Sequence, residues 1–576
     1  MRILFLCHAF NSLSQRLYCE LRALGHQLSV EYDIADPVSE EAVALFQPEL
    51  IIAPYLRRAI PPSIWQRHCC LIVHPGIVGD RGPSALDWAI QEGEADWGVT
   101  VLQATGEMDA GPVWATEVFP LRRARKSSLY RREVCEAASR AVLRAVERFA
   151  GGSFVPTPSA LAAPASRGTL RPLMKQSDRA IDWQHDDTAR VLARLNAADG
   201  FPGVADELFG EPCSLFDGWP EDGLRGAPPG AVIAWRETAI LRATVDGAVW
   251  IGQVRRRQPA GSLRLPAAQV FARQLASLPE APLAAPAAAC WASARQTWQD
   301  IRYEESGGVG FLHFDFYNGA MSTRQCQRLQ AAWEWATLRP VGVLVLMGGR
   351  DYWSNGIHLQ QIEAAESPAD ESWANINAID DLAEAIICNA NQLTIAALQG
   401  NCGAGGCFLA RTADLVWARA GVLLNPHYRN MGNLYGSEYW TYLLPARVGA
   451  RAAQAIMRDR LPMSAVAGVA TGFLDACLTG DPETFRIDVA RRAGELAAAP
   501  DLSARLQNKR GRRLADEAAR PLASYRAAEL AEMQRNFYGF DPSYHVARHH
   551  FVHRTPHSWT PRHLAIHREL GWSVPR

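Results

Sequence analysis

Residues His74–Val113 read HPGIVGDRGPSALDWAIQEGEADWGVTVLQATGEMDAGPV, and this stretch decides the fold of the amino-terminal part of the chain. It begins with a His at the end of an apolar run, passes through an amphipathic segment at Pro83–Glu92, and enters a second apolar run at Val99–Gln103. Short apolar runs that alternate with amphipathic segments indicate buried strands and covering helices. The same alternation precedes this stretch, with predicted strands at Arg2–Cys7, Gln27–Tyr32, Leu50–Ala53 and Cys70–Val73 and a predicted helix at Leu13–Leu24. We therefore expect a parallel α/β sheet that binds ligands at the carboxyl ends of its strands.

Two ionisable residues lie close to the ends of these strands. His74 ends the run LIVH, and Asp109 follows the strand at Val99–Gln103. A His at this edge can shuttle a proton during acyl or formyl transfer, and a carboxylate can orient the imidazole. His74 and Asp109 are therefore candidate catalytic residues.

The composition narrows the function classes. The chain has 576 residues, enough for about four folding units. Its formal net charge of −1 argues against a surface that wraps nucleic acid, because such a surface is densely cationic. Its 12 scattered Cys predict reduced thiols, and neither a signal peptide nor a membrane span is visible. We expect a cytoplasmic location.

Two stretches rich in Pro and small residues divide the chain. The predicted division is a catalytic domain at 1–150, a linker at 151–170, a mainly β subdomain at 171–278, a linker at 279–298, a second α/β domain at 299–480 and a helical extension at 481–576.

The first 270 residues resemble the N10-formyltetrahydrofolate-dependent formyltransferases. The matching residues, in the family's order, are His74, Gly82-Pro83, Trp88-Ala89-Ile90, Gly93, Gly98-Val99-Thr100 and Asp109-Ala110-Gly111, followed by similar sequence at Lys175–Val204. The resemblance implies a Rossmann-like formyltransferase domain followed by an OB-like β subdomain, with N10-formyl-tetrahydrofolate as substrate. With it we assign folate binding to Arg81, Gly82, Asp182 and Arg194.

One departure from that family concerns the acceptor. The family's catalytic Asn stands two residues before the His, and this chain has Ile72 there. A thiol is easier to formylate than an amine held as ammonium, because its reference pKa is about 8.5 rather than about 10. We therefore hypothesise a thiol acceptor.

Two glycine turns occur in the second α/β domain, within Asp351–Glu363 and Gln399–Leu415. Glycines allow close approach to a ligand, and helix amino termini present free N–H groups. Both turns, and the later stretch Leu444–Asp475, resemble the crotonase (enoyl-CoA hydratase/isomerase) superfamily. The resemblance implies that the N–H groups of Ile357 and Gly405 form an oxyanion hole for an acyl-coenzyme A thioester.

The glutamates of the hydratases in that superfamily are missing. Phe408 and His427 stand at their positions, so hydration of an enoyl thioester is not expected. A polar, aromatic loop follows, NPHYRNMGNLYGSEYWTY. Its best acid/base candidates are Tyr428 and Glu438, with His427 and Tyr435 as second choices.

The two halves together resemble the hydrogenase maturation proteins of the HypX/HoxX type. That resemblance implies formyl transfer from N10-formyl-tetrahydrofolate to coenzyme A, then decarbonylation of formyl-CoA to CoA and carbon monoxide, an iron ligand of [NiFe]-hydrogenase. The partner would be the machinery that builds the Fe(CN)2CO centre. Glu438 would act as base and Tyr428 as proton donor or positioner. The alternatives are a non-catalytic or partly degenerate scaffold that binds formyl or acyl-CoA groups, and a sugar-nucleotide formyltransferase fused to a hydratase-like domain.

The predicted helical extension is rich in His. His545, His549 and His553 are four residues apart and share a helical face. The spacing is compatible with a metal, but no acidic partner accompanies these residues in the sequence. We expect no metal site, and interpret them as a solvated or interdomain face.

Overall fold

The computed structural model describes residues 1–158, 167–282 and 296–574. The chain forms two compact units, one of Met1–Ala281 with Pro556–Arg576, the other of Pro282–Thr555. The expected helical extension therefore differs from the structure at its end. Its last α-helix ends at His553, and the residues from Pro556 onward, which include a short 3-10 helix at Ile566–Arg568, belong to the first unit.

The first sheet has six strands. These are β1 (Arg2–Cys7), β2 (Gln27–Tyr32), β3 (Leu50–Ala53), β4 (Cys70–His74), β5 (Asp96–Gln103) and β6 (Val113–Pro120). They lie in the order β2-β1-β3-β4-β5-β6. The helices of this domain are Ser12–Ala23, Asp36–Phe46, Pro62–Trp65, Ala85–Glu92, Lys126–Leu129 and Cys135–Gly151, with a π-helical turn at Tyr130–Val134.

The expectation of a wholly parallel sheet is wrong for one strand, β5, whereas β6 again runs in the direction of β4. β1 to β4 are parallel, whereas β5 runs antiparallel to both β4 and β6. The connection from β5 to β6 is shorter than the crossover that a parallel return requires. Hydrophobic periodicity identifies a strand but does not encode its direction.

A second, antiparallel sheet completes the first unit. Its strands are β7 (Val204–Leu208), β8 (Glu211–Glu221), β9 (Val232–Arg236), β10 (Ala239–Ala243), β11 (Ala248–Arg256) and β12 (Arg264–Pro266). The order is β7-β8-β11-β10-β9, and β12 pairs with β11. The helices are Gln176–Arg179, Thr188–Ala198, Ala267–Val270 and Ala272–Leu275. Val191 and Leu195 of the helix Thr188–Ala198 pack in one apolar cluster with strand residues of this sheet, such as Val249.

The second unit contains two sheets. Its strands are β13 (Ile301–Ser306), β14 (Val309–Phe314), β15 (Val343–Leu346), β16 (Tyr352–Ser354), β17 (Leu393–Leu398), β18 (Asn401–Gly403), β19 (Leu415–Arg419), β20 (Leu423–Asn425), β21 (Met463–Ser464) and β22 (Ala476–Leu478). The larger sheet has the order β13-β14-β15-β17-β19-β22 and the smaller β16-β18-β20-β21.

Helices cover these sheets and continue beyond them. They are Thr323–Thr337, Leu359–Ala364, Pro368–Ile387, Gly405–Arg411, Trp440–Val448, Ala450–Asp459, Ala465–Ala470, Pro482–Ala497, Leu502–Ala519, Leu522–Tyr538 and Ser543–His553. Leu522, Met533 and Phe537 of one late helix pack into the main core of this unit. Within the described ranges, no helix is both long and apolar enough to cross a membrane.

Candidate active sites

The first candidate site lies at the end of β4. His74 is buried there, and its ring nitrogens face two carboxylates. Nδ1 lies 3.5 Å from Asp109 Oδ2, and Nε2 lies 3.2 Å from Asp80 Oδ1. The structure therefore places the predicted pair His74 and Asp109 together and adds a third residue, Asp80. Contacts at both ring nitrogens fix the orientation of the imidazole.

The loop that carries Asp109 also reaches a predicted folate-binding residue. The backbone N–H of Gly82 donates to Asp109 Oδ2 at 3.1 Å, and the neighbouring Arg81 side chain forms an ion pair with Glu107. Gly82 and Asp109 therefore belong to one hydrogen-bonded edge beside His74.

The other two predicted folate-binding residues form a separate cluster in the β subdomain. Asp186 accepts a hydrogen bond from the backbone N–H of Asp182 at 2.8 Å, and Arg194 Nη1 lies 3.2 Å from the same carboxyl group. The Asp182 side chain is exposed and pairs with His185 at 2.8 Å. The structure thus joins Asp182 to Arg194 through Asp186, and the contacts described for them do not include His74.

Ile72 occupies the position of the missing Asn. It lies in β4, half-buried, and packs against an apolar cluster that includes Leu4 and Ile51. An aliphatic side chain cannot donate a hydrogen bond to an oxyanion, so any stabilisation of the reacting carbonyl must come from other groups.

The second candidate site forms where two backbone turns meet. β16 and β18 are parallel neighbours, and Ser354 is in register with Cys402. One strand leads to Ile357 and the other to Gly405 at the start of a helix. A Cβ atom built on Gly356 would lie 3.2 Å from the Gly405 nitrogen. The structure therefore brings the two predicted oxyanion-hole segments together.

Glu438 lies against this turn. A Cβ atom built on Gly405 would come within 2.0 Å of Glu438 Oε1, so a side chain at this position would displace the Glu438 carboxyl group. The hydroxyl of Tyr428 donates to Glu438 Oε2 at 2.5 Å and lies 3.1 Å from the Ser437 carbonyl oxygen. Both side chains are almost fully buried. The two best candidates from the sequence are therefore in direct contact beside the turn of Gly405.

Aromatic packing occupies the position of the missing hydratase glutamate. Phe408 stacks on Tyr428 with ring centroids 5.4 Å apart and an interplanar angle of 17°. Trp440 contacts Phe408 from another side, at 6.5 Å between centroids, and also packs against Tyr435. His427 is buried next to Tyr428 in the chain. The residue that replaces the carboxylate thus holds the Tyr428 ring in place.

Two further buried carboxyl groups support Glu438. Asp380 Oδ1 accepts a hydrogen bond from the Glu438 backbone N–H at 2.8 Å, and Asp380 Oδ2 accepts one from the Ser437 hydroxyl at 2.7 Å. Glu529 Oε2 accepts from the Tyr439 backbone N–H at 3.0 Å and lies 3.2 Å from the same hydroxyl. Both carboxyl groups are buried. Together they fix the backbone on either side of Glu438, whose φ is 58°.

Burial shifts the protonation of this cluster. Burial, followed by the charge of Asp380, raises the pKa of Glu438 above that of an ordinary Glu. Burial also raises the pKa of Asp380, and burial and then Asp380 raise the pKa of Glu529 to about 8. Burial raises the pKa of Tyr428 as well, followed by the charge of Glu438. Tyr428 therefore keeps its hydroxyl proton at neutral pH, and the pKa of Glu438, raised to about 8, suits a group that gains and loses a proton near neutrality.

Sequence reasoning missed Asp80, Asp380 and Glu529. Asp380 shares its helix face with Ile376 and Ile379, and Glu529 falls on the face of Leu522 and Met533. An acidic residue on an otherwise apolar helix face is a signal, because such a side chain is buried only where it has partners. Asp80 lies in a loop, and no periodic pattern marks it.

Comparison with known proteins decides the family. Residues 5–146 match the Formyl transferase family, residues 173–274 match its C-terminal domain, and residues 318–560 match the Enoyl-CoA hydratase/isomerase family. The chain is 53% identical over 568 residues to the hydrogenase maturation factor HoxX of Bradyrhizobium diazoefficiens, covering 99% of this chain and 97% of that protein. The chain belongs to the HoxX/HypX family of hydrogenase maturation factors.

The solved structures agree with this assignment. HypX from Aquifex aeolicus, crystallised in complex with tetrahydrofolic acid, is 48% identical, has a TM-score of 0.95 and is covered over 100% of both chains. A sequence relative that matches only part of the chain is a methionyl-tRNA formyltransferase of Roseiflexus castenholzii. It is 31% identical over 254 residues, which is 42% of this chain and 77% of that enzyme. The predicted resemblance and fold class are therefore confirmed: HoxX/HypX proteins join a two-part formyltransferase to a crotonase-type domain.

Proposed function

We propose that the first unit transfers a formyl group from N10-formyl-tetrahydrofolate to the thiol of coenzyme A, and that the second unit releases carbon monoxide from the resulting formyl-CoA. The carbon monoxide would become the iron ligand that the hydrogenase maturation machinery installs. The observation that carries the proposal is Glu438, a buried carboxyl group with Tyr428 as partner, placed against Gly405 where a thioester carbonyl would bind.

His74 performs the proton transfer of the first step. The thiol attacks the formyl carbon, and His74 accepts the proton of the thiol and returns one to the folate nitrogen that leaves. Asp80 and Asp109 hold the imidazole from its two nitrogens. A thiol acceptor suits a site in which Ile72 supplies no amide, because a thiol enters the reaction more readily than an ammonium group.

Glu438 and Tyr428 perform the second step. The N–H groups of Ile357 and Gly405 hold the formyl oxygen. Glu438 removes the formyl hydrogen as a proton, the carbon keeps the pair of that bond, and the C–S bond breaks with its pair on sulfur. The sulfur takes a proton from the Tyr428 hydroxyl, and Glu438 passes the formyl proton to Tyr428 through their hydrogen bond. Formyl-CoA thus yields carbon monoxide and CoA without an oxidant.

Formyl-CoA supplied without folate tests the second step alone. The proposal predicts carbon monoxide and CoA in equal amounts, with carbon monoxide trapped by haemoglobin. A scaffold that only binds acyl-CoA would retain formyl-CoA, or release formate by background hydrolysis, and either result would reject the decarbonylation.

The pH dependence of this step provides a prediction for Asp380. Deprotonated Glu438 is the base, and its pKa is raised, so the rate of carbon monoxide release should increase as the pH rises through the neutral range. Asp380→Asn removes the negative charge that helps raise that pKa, and an amide oxygen can still accept the Glu438 N–H. We expect the rising part of the pH–rate profile to move to lower pH.

The control for this variant is Asp370→Asn, which changes an exposed carboxyl group at the start of the same helix. Profiles of initial rate with saturating formyl-CoA compare the three proteins. An unmoved profile for Asp380→Asn, or an equal shift in the control, would show that Asp380 does not set the protonation of the base.

A further inference from the structure

The histidines of the helix Ser543–His553 divide into two groups in the structure. His545 bonds back to its own region, with Nε2 2.9 Å from the Phe537 carbonyl oxygen and Nδ1 2.8 Å from Arg548. His549 and His553 instead face Glu363, in the helix Leu359–Ala364. The sequence-based expectation that these histidines lack an acidic partner is therefore wrong, because the partner lies far away in the chain.

The three side chains converge on a small volume. His549 Nδ1 lies 2.7 Å and His553 Nε2 lies 3.3 Å from Glu363 Oε1, and the two imidazole centroids are 4.2 Å apart. One ligand atom from each residue lies within 4.8 Å of the other two. In a tetrahedral zinc site, bonds of about 2.1 Å place ligand atoms about 3.4 Å apart. The two separations from Glu363 Oε1, 2.7 Å and 3.3 Å, lie on the short side of that spacing and close to it.

Arg548 orients the carboxylate. Its Nε donates to Glu363 Oε2 at 2.7 Å, which leaves Oε1 directed at the two imidazoles. Arg548 is itself buried. Hydrogen bonds to the non-ligating oxygen of a carboxylate are the usual support of a metal ligand.

We propose that Glu363, His549 and His553 bind a zinc-class divalent cation. Two imidazoles and one carboxylate suit Zn²⁺ and Co²⁺, whereas Mg²⁺ and Ca²⁺ prefer oxygen ligands. His549 is more than half exposed, so water can complete the coordination. The nearby guanidinium opposes the cation, and its affinity should therefore be lower than that of a closed structural zinc site.

The cation would join two helices beside the second candidate site. The helix of Glu363 begins two residues after Ile357, one of the two residues assigned to the oxyanion hole. If Glu363 and the two histidines coordinate the same cation, the position of that helix and of the turn before it would be fixed. The metal site itself does not depend on the proposed chemistry, since binding is measured without substrate.

Zinc binding to the full chain tests the inference. Chelator-treated protein is titrated with Zn²⁺ by calorimetry, and with Co²⁺ by visible absorption, which reports coordination geometry. The wild type should bind one equivalent with a dissociation constant below about 10 μM. His549→Ala and His553→Ala should each weaken that site at least about 10-fold, as loss of a ligand costs no less than loss of its support.

His550→Ala is the matched control, because His550 is exposed on the same helix outside the cluster. It should bind like the wild type, and unchanged circular dichroism should show that all variants fold. If the wild type binds no zinc in this range, or if His549→Ala and His553→Ala bind like the control, the three residues form only a hydrogen-bonded ion network.

Discussion

Replacing Glu438 with Gln should reduce carbon monoxide release from formyl-CoA by about 100- to 10,000-fold, the usual contribution of a general base. The amide keeps the volume of the side chain, and its oxygen can still accept the hydroxyl of Tyr428. The positive φ of this residue is equally available to Gln. The variant therefore loses the base while the loop keeps its contacts.

The same variant should accumulate formyl-CoA when it is given N10-formyl-tetrahydrofolate and CoA, because formation of the thioester does not involve Glu438. Chromatography of the acyl-CoA products measures this directly. Glu483→Gln, at an exposed position of the same unit, should behave like the wild type. Undiminished carbon monoxide release by the Glu438 variant would remove that residue from the mechanism.

Replacing His74 with Ala should reduce formyl transfer to CoA by a similar factor, about 100- to 10,000-fold, because no other group takes over its proton transfer. The change also leaves the carboxyl groups of Asp80 and Asp109 without the ring that separates them. Release of tetrahydrofolate, followed by its absorbance, measures the rate.

The second half of the reaction distinguishes a chemical from a structural effect. The His74 variant should still convert added formyl-CoA into carbon monoxide, because the crotonase-type site is intact. His26→Ala, a change of the same residue type elsewhere in the first unit, should retain formyl transfer. If the His74 variant transfers formyl groups normally, the first site has been assigned to the wrong residues.

The sequence predicts most of the elements that carry these residues. The strands Arg2–Cys7, Gln27–Tyr32 and Leu50–Ala53 have their predicted bounds. The helix predicted at Leu13–Leu24 is observed at Ser12–Ala23, because the Asn11 side chain caps it. The direction of β5 was not predictable, because alternation of apolar and polar residues is the same in parallel and antiparallel strands. The short strands β16 and β18 were also missed, since three residues contain no period.

The site itself was only partly predictable. Motifs locate Tyr428, Glu438 and Gly405 because these residues lie near recognisable turns. Asp380 and Glu529 come from helices far away in the sequence, and only tertiary packing brings their carboxyl groups to the backbone of Glu438. The acidic partner of His549 and His553 was missed for the same reason: Glu363 lies 186 residues from His549. Contacts of this kind depend on how helices dock, which no local pattern specifies.

The central claim is that the one-carbon unit passes through a CoA thioester. It is tested when the full chain is incubated with CoA and N10-formyl-tetrahydrofolate that carries a labelled formyl group, and carbon monoxide is captured on haemoglobin. We expect labelled carbon monoxide in proportion to the tetrahydrofolate released, and none when CoA is omitted. Label recovered only as formate, or labelled carbon monoxide that forms equally well without CoA, would contradict it.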